Sequence, residues 1–493
     1  MTDRTEGTGQ TEGAGQTVGA GRSACQGPEM ACRHAHFIGI GGIGMSALAE
    51  LMLGYGYKVS GSDLRGTRLT DRLHGLGASV FQGHDPANME GADLIVYSAA
   101  IPGDNPELAS AHRLGRRTVT RAELLGMLTR GTQGIAVAGT HGKTSTSAMI
   151  VKVLAAAGLD PTAVIGGIMT ENGSNVRRGN GPWMVVEGDE YDRSFHALTP
   201  AAAVITSVDA DHMEYYGSQE AIDEAFTVFA HLVPGDGPLI VCADDPGIGR
   251  IRSGLRRRLV TYGLSAQACI RADRVESKGW SISAEVYVRD DPAGRLVLPQ
   301  PGECNLSNAL AAIAVADDLG LPVERAMAAL AEYQGLKRRF EVLGSIGGVT
   351  VVDDYAHHPV EIEAALRAVS NAGARRMFVV FQPHLYSRTR DLRREFGRVL
   401  GRFPAYRTIV TDVYPSRETP RDGVTGEMIV HDSSAIAGNV AYIPDKDRVA
   451  AALVDDLEHG DLVLTLGAGD VGEVGIQVCE LLRKSGVRSH GTI

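Results

Sequence analysis

The chain has 493 residues, of which 44% are apolar and 22% charged, and a formal net charge of −11. This length exceeds what one hydrophobic core supports, so two to four domains are expected. The negative charge argues against nonspecific binding of nucleic acid. No apolar run approaches the roughly 20 residues that span a bilayer, so no membrane insertion is expected.

Residues 1–34 are rich in Gly, Thr, Gln and Ser and contain almost no large apolar side chains. Such a segment buries too little surface to order itself, and it lacks the apolar region of a signal peptide. We therefore predict a disordered tail. The six cysteines have no metal-like spacing, which favours free thiols and a cytoplasmic location. The sequence carries no signal for an oligomeric state.

Ordered sequence is expected to begin at His36, and strand-like and helix-like segments then alternate. This alternation favours parallel α/β sheets. The predicted strands are 57–60, 93–97, 135–138, 183–187, 202–208, 238–242, 349–353, 376–381, 408–411 and 461–466. The predicted helices are 44–54, 143–157, 219–232, 306–319, 359–370 and 445–457. Residues 267–300 are predicted to form short antiparallel strands.

A glycine-rich turn between the first strand and the first helix has the pattern G-x-G-x-x-G, and an acidic residue follows 19 positions after its last glycine. This pattern is typical of sites that bind a diphosphate at a helix N-terminus and a ribose hydroxyl at the acid. It fits both a nicotinamide dinucleotide and a nucleotide sugar, and a tight turn without a ligand is a further alternative. The residues of this motif, with one at the end of a neighbouring strand, are Gly39, Gly41, Gly42, Gly44, Asp63 and Ser98.

A second glycine loop, residues 139–144 with the sequence Gly-Thr-His-Gly-Lys-Thr, joins an apolar strand to a helix. Such a loop directs backbone N–H groups at a phosphate. Lys143 is expected to meet the β- and γ-phosphates and the Thr144 hydroxyl a magnesium ion. Val137 stands where the strict Walker pattern has its first glycine, so the loop is a shortened variant. We predict an ATP site here.

Two further strands end in polar residues. Glu187 directly follows an apolar strand and suits Mg²⁺, which prefers hard oxygen ligands. Glu190 and Asp192, further on, fit a solvated acidic loop. His212 follows another central-looking strand and is a candidate to ligate a second magnesium ion or orient a phosphate oxygen, although a lone histidine is more often structural.

Two seams, near 132–134 and 335–340, divide the ordered sequence. We predict three α/β domains after the tail of 1–34. They are an N-terminal Rossmann-like domain (35–132), a central P-loop ATPase-type domain with a parallel sheet and a small antiparallel element (133–335), and a C-terminal Rossmann-like domain (336–493).

Seven motifs, in this order along the chain, resemble those of the Mur ligase family of ATP-dependent amide-forming enzymes. They are Gly39-x-Gly41-Gly42-x-Gly44-Met45-Ser46, the loop 139–144, Glu187-x-Asp189-Glu190, Asp211-His212-Met213, Asn305-x-x-Asn308-Ala309, Asp353 to Pro359, and Phe381-Gln382-Pro383-His384.

The resemblance implies ATP-dependent ligation of L-alanine to the lactyl carboxylate of UDP-N-acetylmuramate in peptidoglycan synthesis. The first glycine turn fits the family member that adds L-alanine better than the member that attaches a whole tripeptide. The glycine turn, Asp63 and Ser98 would hold the nucleotide sugar. The resemblance assigns ATP to Gly139, Thr140, His141, Gly142, Lys143, Thr144, Ser145, Asn305, Asn308 and Asp354, magnesium to Thr144, Glu187 and His212, and catalysis to Lys143, His212, His357 and Arg388.

Two positions depart from the family pattern. Cys304 stands where the family usually has a histidine before the first asparagine of the adenine site. Leu385 stands where related enzymes often have an arginine, which leaves Arg388 and Arg390 as candidates to meet the substrate carboxylate.

The implied mechanism transfers the γ-phosphoryl group to the carboxylate and then lets the amine displace phosphate, with Lys143 stabilising charge. His357 and His212 are both candidates for the general base. The alternatives are a family member that attaches a whole tripeptide to the same sugar nucleotide, a nicotinamide-dependent oxidoreductase, and a regulatory P-loop ATPase.

Overall fold

The computed structural model describes residues 32–485 except 417, 435 and 437. Its described residues form three β-sheets of five, ten and six strands, with helices on their faces. The prediction of three α/β units is confirmed, while the proposed boundaries near 132–134 and 335–340 remain predictions. Most of the predicted tail, residues 1–31, lies outside the described residues.

The first sheet is wholly parallel and has the strand order β3-β2-β1-β4-β5. Its strands are β1 (His34–Ile38), β2 (Lys58–Asp63), β3 (Ser79–Gln82), β4 (Leu94–Tyr97) and β5 (Thr118–Thr120). The helices of this unit are α1 (Ile43–Gly54), α2 (Arg68–Gly75), α3 (Pro106–Arg113) and α4 (Arg121–Thr129).

Strand β1 begins at His34, two residues before the expected start of ordered sequence. The prediction of a disordered tail over 1–34 is therefore wrong for residues 32–34. The backbone N–H groups of Arg33 and His34 donate to the Asp93 carboxylate. Cys32 is buried. These long-range contacts compensate for the polar local sequence.

The second sheet has the order β15-β14-β13-β12-β11-β10-β6-β9-β7-β8. Its strands are β6 (Gln133–Ala138), β7 (Thr162–Met169), β8 (Ser174–Arg177), β9 (Trp183–Glu187), β10 (Ala202–Ile205), β11 (Pro238–Cys242), β12 (Arg258–Gly263), β13 (Ile270–Lys278), β14 (Ser281–Val288) and β15 (Asp291–Leu298). The helices are α5 (Lys143–Ala156), α6 (Met213–Tyr216), α7 (Gln219–Ala230), α8 (Pro246–Ile251), α9 (Glu303–Asp318) and α10 (Val323–Ala331). The antiparallel pairing of β13 with β14 and β14 with β15 confirms the prediction for 267–300.

The third sheet has the order β16-β17-β21-β18-β19-β20, and β16 is its antiparallel edge. Its strands are β16 (Glu341–Ile346), β17 (Val349–Asp354), β18 (Met377–Phe381), β19 (Arg407–Val410), β20 (Val440–Tyr442) and β21 (Leu462–Leu466). The helices are α11 (Pro359–Ser370), α12 (Tyr386–Arg402), α13 (Glu427–Ser434), α14 (Val449–Val454) and α15 (Gly472–Ser485). The helix predicted at 445–457 is shorter, because a 3₁₀ turn at Lys446–Arg448, capped by Asp445, precedes α14.

Strand β6 lies in the middle of the second sheet, between β10 and β9. Ile135 to Ala138 are fully buried, as expected for a parallel strand covered on both faces. Helices α5 and α9 pack against each other in this unit. The apolar strand and its helices thereby fix the loop 139–142 at the carboxyl edge of the sheet.

The first and second units touch through their backbones. A Cβ atom added at Gly126 in α4 would lie 2.0 Å from the carbonyl oxygen of Ala197, so only glycine permits this approach. The hydroxyls of Thr129 and Thr199 are 3.3 Å apart beside it. None of the helices in the described part of the chain is both long and apolar enough to cross a membrane.

Candidate active site

The loop between β6 and α5 has the geometry predicted from its glycines. Gly139 and Gly142 have φ angles of 142° and 82°, which L side chains rarely adopt. A Cβ atom at Gly139 would lie 2.0 Å from the Thr206 hydroxyl, and one at Gly142 would lie 2.6 Å from Oδ1 of Asn308. The N-cap of α5 is Gly142, which has no side chain to bond the first turn, so the backbone N–H groups there suit a phosphate.

Lys143 points back across this loop. Its Nζ donates to the carbonyl oxygen of Gly139 at 2.6 Å and lies 2.8 Å from Oε2 of Glu190. Burial disfavours the ammonium, but the carboxylates of Glu190 and Glu187 outweigh burial and raise the pKa of Lys143. The lysine is therefore held charged at the place where phosphate oxygens would enter.

The interpretation of Glu190 as part of a solvated loop is wrong. The residue is only 5% exposed. It pairs with Lys143 because, after β9, the chain turns back over the glycine loop 139–144, which we call the phosphate loop. The Tyr216 hydroxyl donates to the Glu190 carbonyl oxygen and fixes this turn. A carboxylate three positions after a buried strand was the available signal. Asp192, in contrast, is only half-buried.

Thr144 and Glu187 lie together, as their predicted roles require. The Thr144 hydroxyl donates to Oε1 of Glu187 at 3.0 Å, and the backbone N–H of Gly166 donates to Oε2. Within the described residues, no three His, Cys, Asp or Glu side chains converge on one point. Mg²⁺ in phosphoryl-transfer sites needs only one or two carboxylates because it keeps waters and binds phosphate oxygens. This hydroxyl and carboxylate fit that ion.

His212, the third residue predicted to bind metal, lies at the N-terminus of α6 with a φ of 55°. Its Nε2 is 3.9 Å from Oε1 of Glu190 and 3.9 Å from Oδ2 of Asp211. Its ring packs edge-on against Tyr191 at 5.1 Å. The imidazole thus borders the carboxylate that holds the phosphate-loop lysine.

Arg388, in α12, reaches the central unit and lies 3.2 Å from Oδ1 of Asp211. Burial would raise the pKa of Asp211, but His212 and Arg388 lower it to about 2. Arg390 is on the surface, where it pairs with Asp391. Of the two arginines considered from the sequence, only Arg388 is placed beside the predicted site. Leu385 is buried at the start of α12 with a φ of 69°.

The asparagines predicted for adenine binding both lie at the N-terminal end of α9. Asn305 donates to the carbonyl oxygen of Pro301 at 2.8 Å, and Asn308 accepts from the Thr146 hydroxyl at 3.0 Å. Asn308 therefore packs beside Gly142 and against the start of α5, which follows the phosphate loop. Cys304 is exposed beside them.

The C-terminal unit contributes Asp354 at the end of β17. Its carboxylate accepts the backbone N–H groups of Phe340 and Ala356, both at 2.9 Å. Burial raises the pKa of Asp354 to about 6, against the opposing effect of Arg339. The group orders the segment that carries His357 into the site.

The contact between His141 and Glu361 is not predictable from the sequence. Nδ1 of His141, in the phosphate loop, lies 3.2 Å from Oε1 of Glu361, 220 positions away in α11. Nε2 of the same ring lies 3.8 Å from Asp209. Burial opposes the charged imidazole, but Asp209 and Glu361 outweigh it and raise the pKa of His141 to about 9.

In the first unit, the glycine turn follows β1, Asp63 ends β2 and Ser98 follows β4. The strand order reverses between β1 and β4, which is where such sheets bind ligands. Oδ2 of Asp63 accepts the backbone N–H of Gly41 at 2.9 Å and so stabilises the turn. All of the residues predicted to bind the nucleotide sugar share this edge.

A cleft of about 320 Å³ joins the three units. Ile43 lines it from the first unit. Its remaining walls are formed by Thr140, Gly142, Lys143, Thr144, Gly166, Gly167, Ile168, Glu187, Glu190, Asp211 and His212 from the second unit and by Lys337, Arg338, Arg339, Tyr355, His357 and Glu361 from the third. Both cations and carboxylates line it, which suits a phosphorylated ligand with a bound metal ion.

A phosphate-binding loop that is enclosed between two further α/β units defines the three-domain architecture of one ligase family. Family models match residues 34–133 (Mur ligase family, catalytic domain), 137–316 (Mur ligase middle domain) and 338–469 (Mur ligase, glutamate ligase domain). The chain belongs to the Mur ligase family.

Among its relatives is UDP-N-acetylmuramate–L-alanine ligase of Syntrophus aciditrophicus, which is 45% identical over 454 residues, or 92% of this chain and 94% of the relative. The enzyme of the same name from Salinibacter ruber is 44% identical and covers 92% of this chain and 96% of its own. The crystal structure of UDP-N-acetylmuramate–alanine ligase from Thermotoga maritima is 30% identical, with a TM-score of 0.79 over 92% of this chain and 99% of that one.

Proposed function

We propose that this chain joins L-alanine to the lactyl carboxylate of UDP-N-acetylmuramate at the expense of ATP, in peptidoglycan synthesis. The observation that carries the proposal is the shared cleft, in which the Lys143 loop of the central unit faces His357 of the C-terminal unit. Arg388 contacts Asp211 in the wall of this cleft. The relatives named above, at 44–45% identity, are named for this reaction.

The phosphate loop supplies the chemistry of the first step. The sugar carboxylate is a poor acylating agent, so its oxygen forms a bond to the γ-phosphorus of ATP while the bond to ADP breaks. Charge accumulates on the phosphoryl oxygens, and Lys143 with the N–H groups of residues 139–145 stabilises it. Glu190 then shares Lys143 with the phosphates instead of holding it alone.

Thr144 and Glu187 would hold Mg²⁺, with His212 beside them. When bound, the ion would supply positive charge that stabilises the phosphoryl oxygens. Asn305, Asn308 and Asp354 border the nucleotide side of the site. Gly39, Gly41, Gly42, Gly44, Asp63 and Ser98 would bind the uridine diphosphate at the edge of the first sheet.

The second step needs a base for the ammonium proton of alanine. His357 suits this role better than His212, because its Nδ1 lies 3.1 Å from the carbonyl oxygen of Tyr355 and 3.2 Å from Oε2 of Glu361. Both neighbours accept hydrogen bonds, so Nδ1 carries the proton and Nε2 keeps the lone pair. The neutral amine attacks the acyl carbon, and phosphate leaves. Arg388 would attract the alanine carboxylate.

The experiment is phosphate release from ATP by the purified protein, with Mg²⁺, UDP-N-acetylmuramate and each amino acid in turn. Release that requires both the sugar nucleotide and L-alanine, with equal ADP and alanylated product, supports the proposal. Release with the L-alanyl-γ-D-glutamyl tripeptide instead would assign the chain to the tripeptide-attaching relatives. Without coupled release for any acceptor, the ligase assignment fails.

A further inference from the structure

Glu361 is the side chain at which the phosphate loop meets the C-terminal unit. Its Oε1 lies 3.2 Å from Nδ1 of His141, and its Oε2 lies 3.2 Å from Nδ1 of His357. Oε2 also accepts the backbone N–H groups of His357 at 3.1 Å and of His358, the N-cap of α11, at 3.3 Å. Glu361 occupies the third position of α11, where a glutamate commonly caps the helix. Capping accounts for the backbone contact but not for the two imidazoles.

The carboxylate of Glu361 is ionised. Burial would raise its pKa, but His357 and His141 outweigh burial, and the pKa lies well below the usual range of a glutamate. An anion that accepts from both Nδ1 atoms fixes the rotation of each ring, and in a neutral His357 it selects the tautomer with the proton on Nδ1. A carboxylate that orients an imidazole in this way is the arrangement that prepares histidine bases in other enzymes.

The two imidazoles come from different units of the fold. His141 belongs to the phosphate loop, and its backbone N–H donates to the hydroxyl of Ser207, just after β10. His357 belongs to the loop after β17. The contact from His141 to Glu361 therefore exists only while the C-terminal unit lies against the phosphate loop, and the orientation of His357 depends on the same carboxylate.

We propose that Glu361 is a positioning residue that couples docking of the C-terminal unit on the phosphate loop to the orientation of His357. The inference rests on the proposed function, since it gives His357 the proton of the incoming amine. In an undocked unit the Glu361 carboxylate would lose its contact with His141, and the position from which it orients His357 would no longer be fixed from both sides. The amine would then attack the acyl phosphate only after the site had closed, and closure would protect the acyl phosphate from hydrolysis.

The first test compares Glu361→Gln with Glu363→Gln. Glutamine keeps the helix cap at position 361 but removes the charge. Glu363 lies on the same helix and pairs with Arg367 at 2.6 Å, so it is a matched control. We expect Glu361→Gln to lower kcat by about 10–100-fold, part of the usual effect of general-base catalysis, with the KM for ATP and sugar nucleotide within about twofold. Equal kcat values in the two variants would overturn the positioning role.

A double variant tests the coupling. If His141 acts through Glu361, then His141→Gln combined with Glu361→Gln should lose no more kcat than Glu361→Gln alone, within about twofold. Losses that multiply would show that the two residues act independently, which contradicts the inference.

A third measurement reports the protonation site of His357 directly and does not depend on catalysis. In ¹⁵N-histidine spectra of the full chain, we expect His357 to carry its proton on Nδ1 in the wild type and to lose this preference in Glu361→Gln. An unchanged tautomer would overturn the positioning role. A wild-type protein without ligase activity would instead overturn the proposed function, so the two failures are distinguishable.

Discussion

Nζ of Lys143 lies 2.8 Å from Oε2 of Glu190, and both side chains are largely buried. The cation expected to meet the phosphates of ATP is therefore already half of an ion pair. In the proposed reaction, incoming phosphate would compete with Glu190 for the same ammonium. The carboxylate would then preserve the charge of Lys143 before nucleotide binds and moderate the affinity for nucleotide.

Replacing Glu190 by alanine should destabilise the protein by about 3 kcal/mol, because it leaves a buried ammonium without its anion. The loss should shrink when ATP and Mg²⁺ are saturating, since the phosphates take over the pairing. Urea unfolding with and without nucleotide measures both quantities. A loss of stability that nucleotide does not reduce would show that the phosphates do not reach Lys143.

Replacing Glu187 by glutamine should raise the Mg²⁺ concentration for half-maximal activity at least about tenfold, because the ion prefers anionic oxygen ligands. Thr144→Ser keeps the hydroxyl and should stay near the wild-type value. Titration of activity against free Mg²⁺ at fixed ATP separates the two variants. Identical Mg²⁺ dependence in Glu187→Gln and the wild type would remove Glu187 from the metal site.

The raised pKa of His141, about 9, predicts a pH-dependent contribution to stability. A group whose pKa is higher in the folded state stabilises the protein fully below its unfolded value of about 6.5 and loses that contribution as the pH rises to the folded value. A shift of this size corresponds to about 3 kcal/mol. The difference in unfolding free energy between wild type and His141→Gln should therefore decline between pH 6.5 and 9. A constant difference across that window would contradict the interaction with Asp209 and Glu361.

Gly142 and Gly158, at opposite ends of α5, have nearly equal φ angles of 82° and 79°. Alanine at either position costs about 1 kcal/mol in backbone strain. A Cβ atom at Gly142 also meets Asn308, whereas one at Gly158 meets nothing within 4 Å. We expect Gly142→Ala to weaken ATP binding at least about tenfold and Gly158→Ala to leave it within about twofold, as measured by calorimetry. Equal affinities would show that the loop tolerates the clash.

Local patterns in the sequence were sufficient for much of this fold. Strands 183–187 and 238–242 and helix 359–370 have the predicted bounds, because an apolar run or a periodic face is a property of consecutive residues. The phosphate loop and the Thr144–Glu187 pair were predictable for a related reason. Parallel strands of one sheet end at the same edge, so motifs at strand ends come together.

Contacts made through space were not predictable. Glu190 looks like a solvated acid in its local sequence, and only the turn back over the phosphate loop buries it. Nothing near His141 indicates a partner 220 residues away. Strand β1 likewise begins early because of Asp93, a residue of another loop.

The close approach of α4 to the central unit at Gly126 affects how the first and second units are spaced. A methyl group there would clash with the carbonyl oxygen of Ala197 and push the first unit away from the second. Arg121, the first residue of α4, lies 3.0 Å from Asp189 of the second unit and packs beside Gly44 of the glycine turn. The clash would move Arg121 and this turn away from Asp189. One hydrogen atom in place of a side chain thus sets the spacing between the glycine turn of the first unit and the phosphate loop of the second.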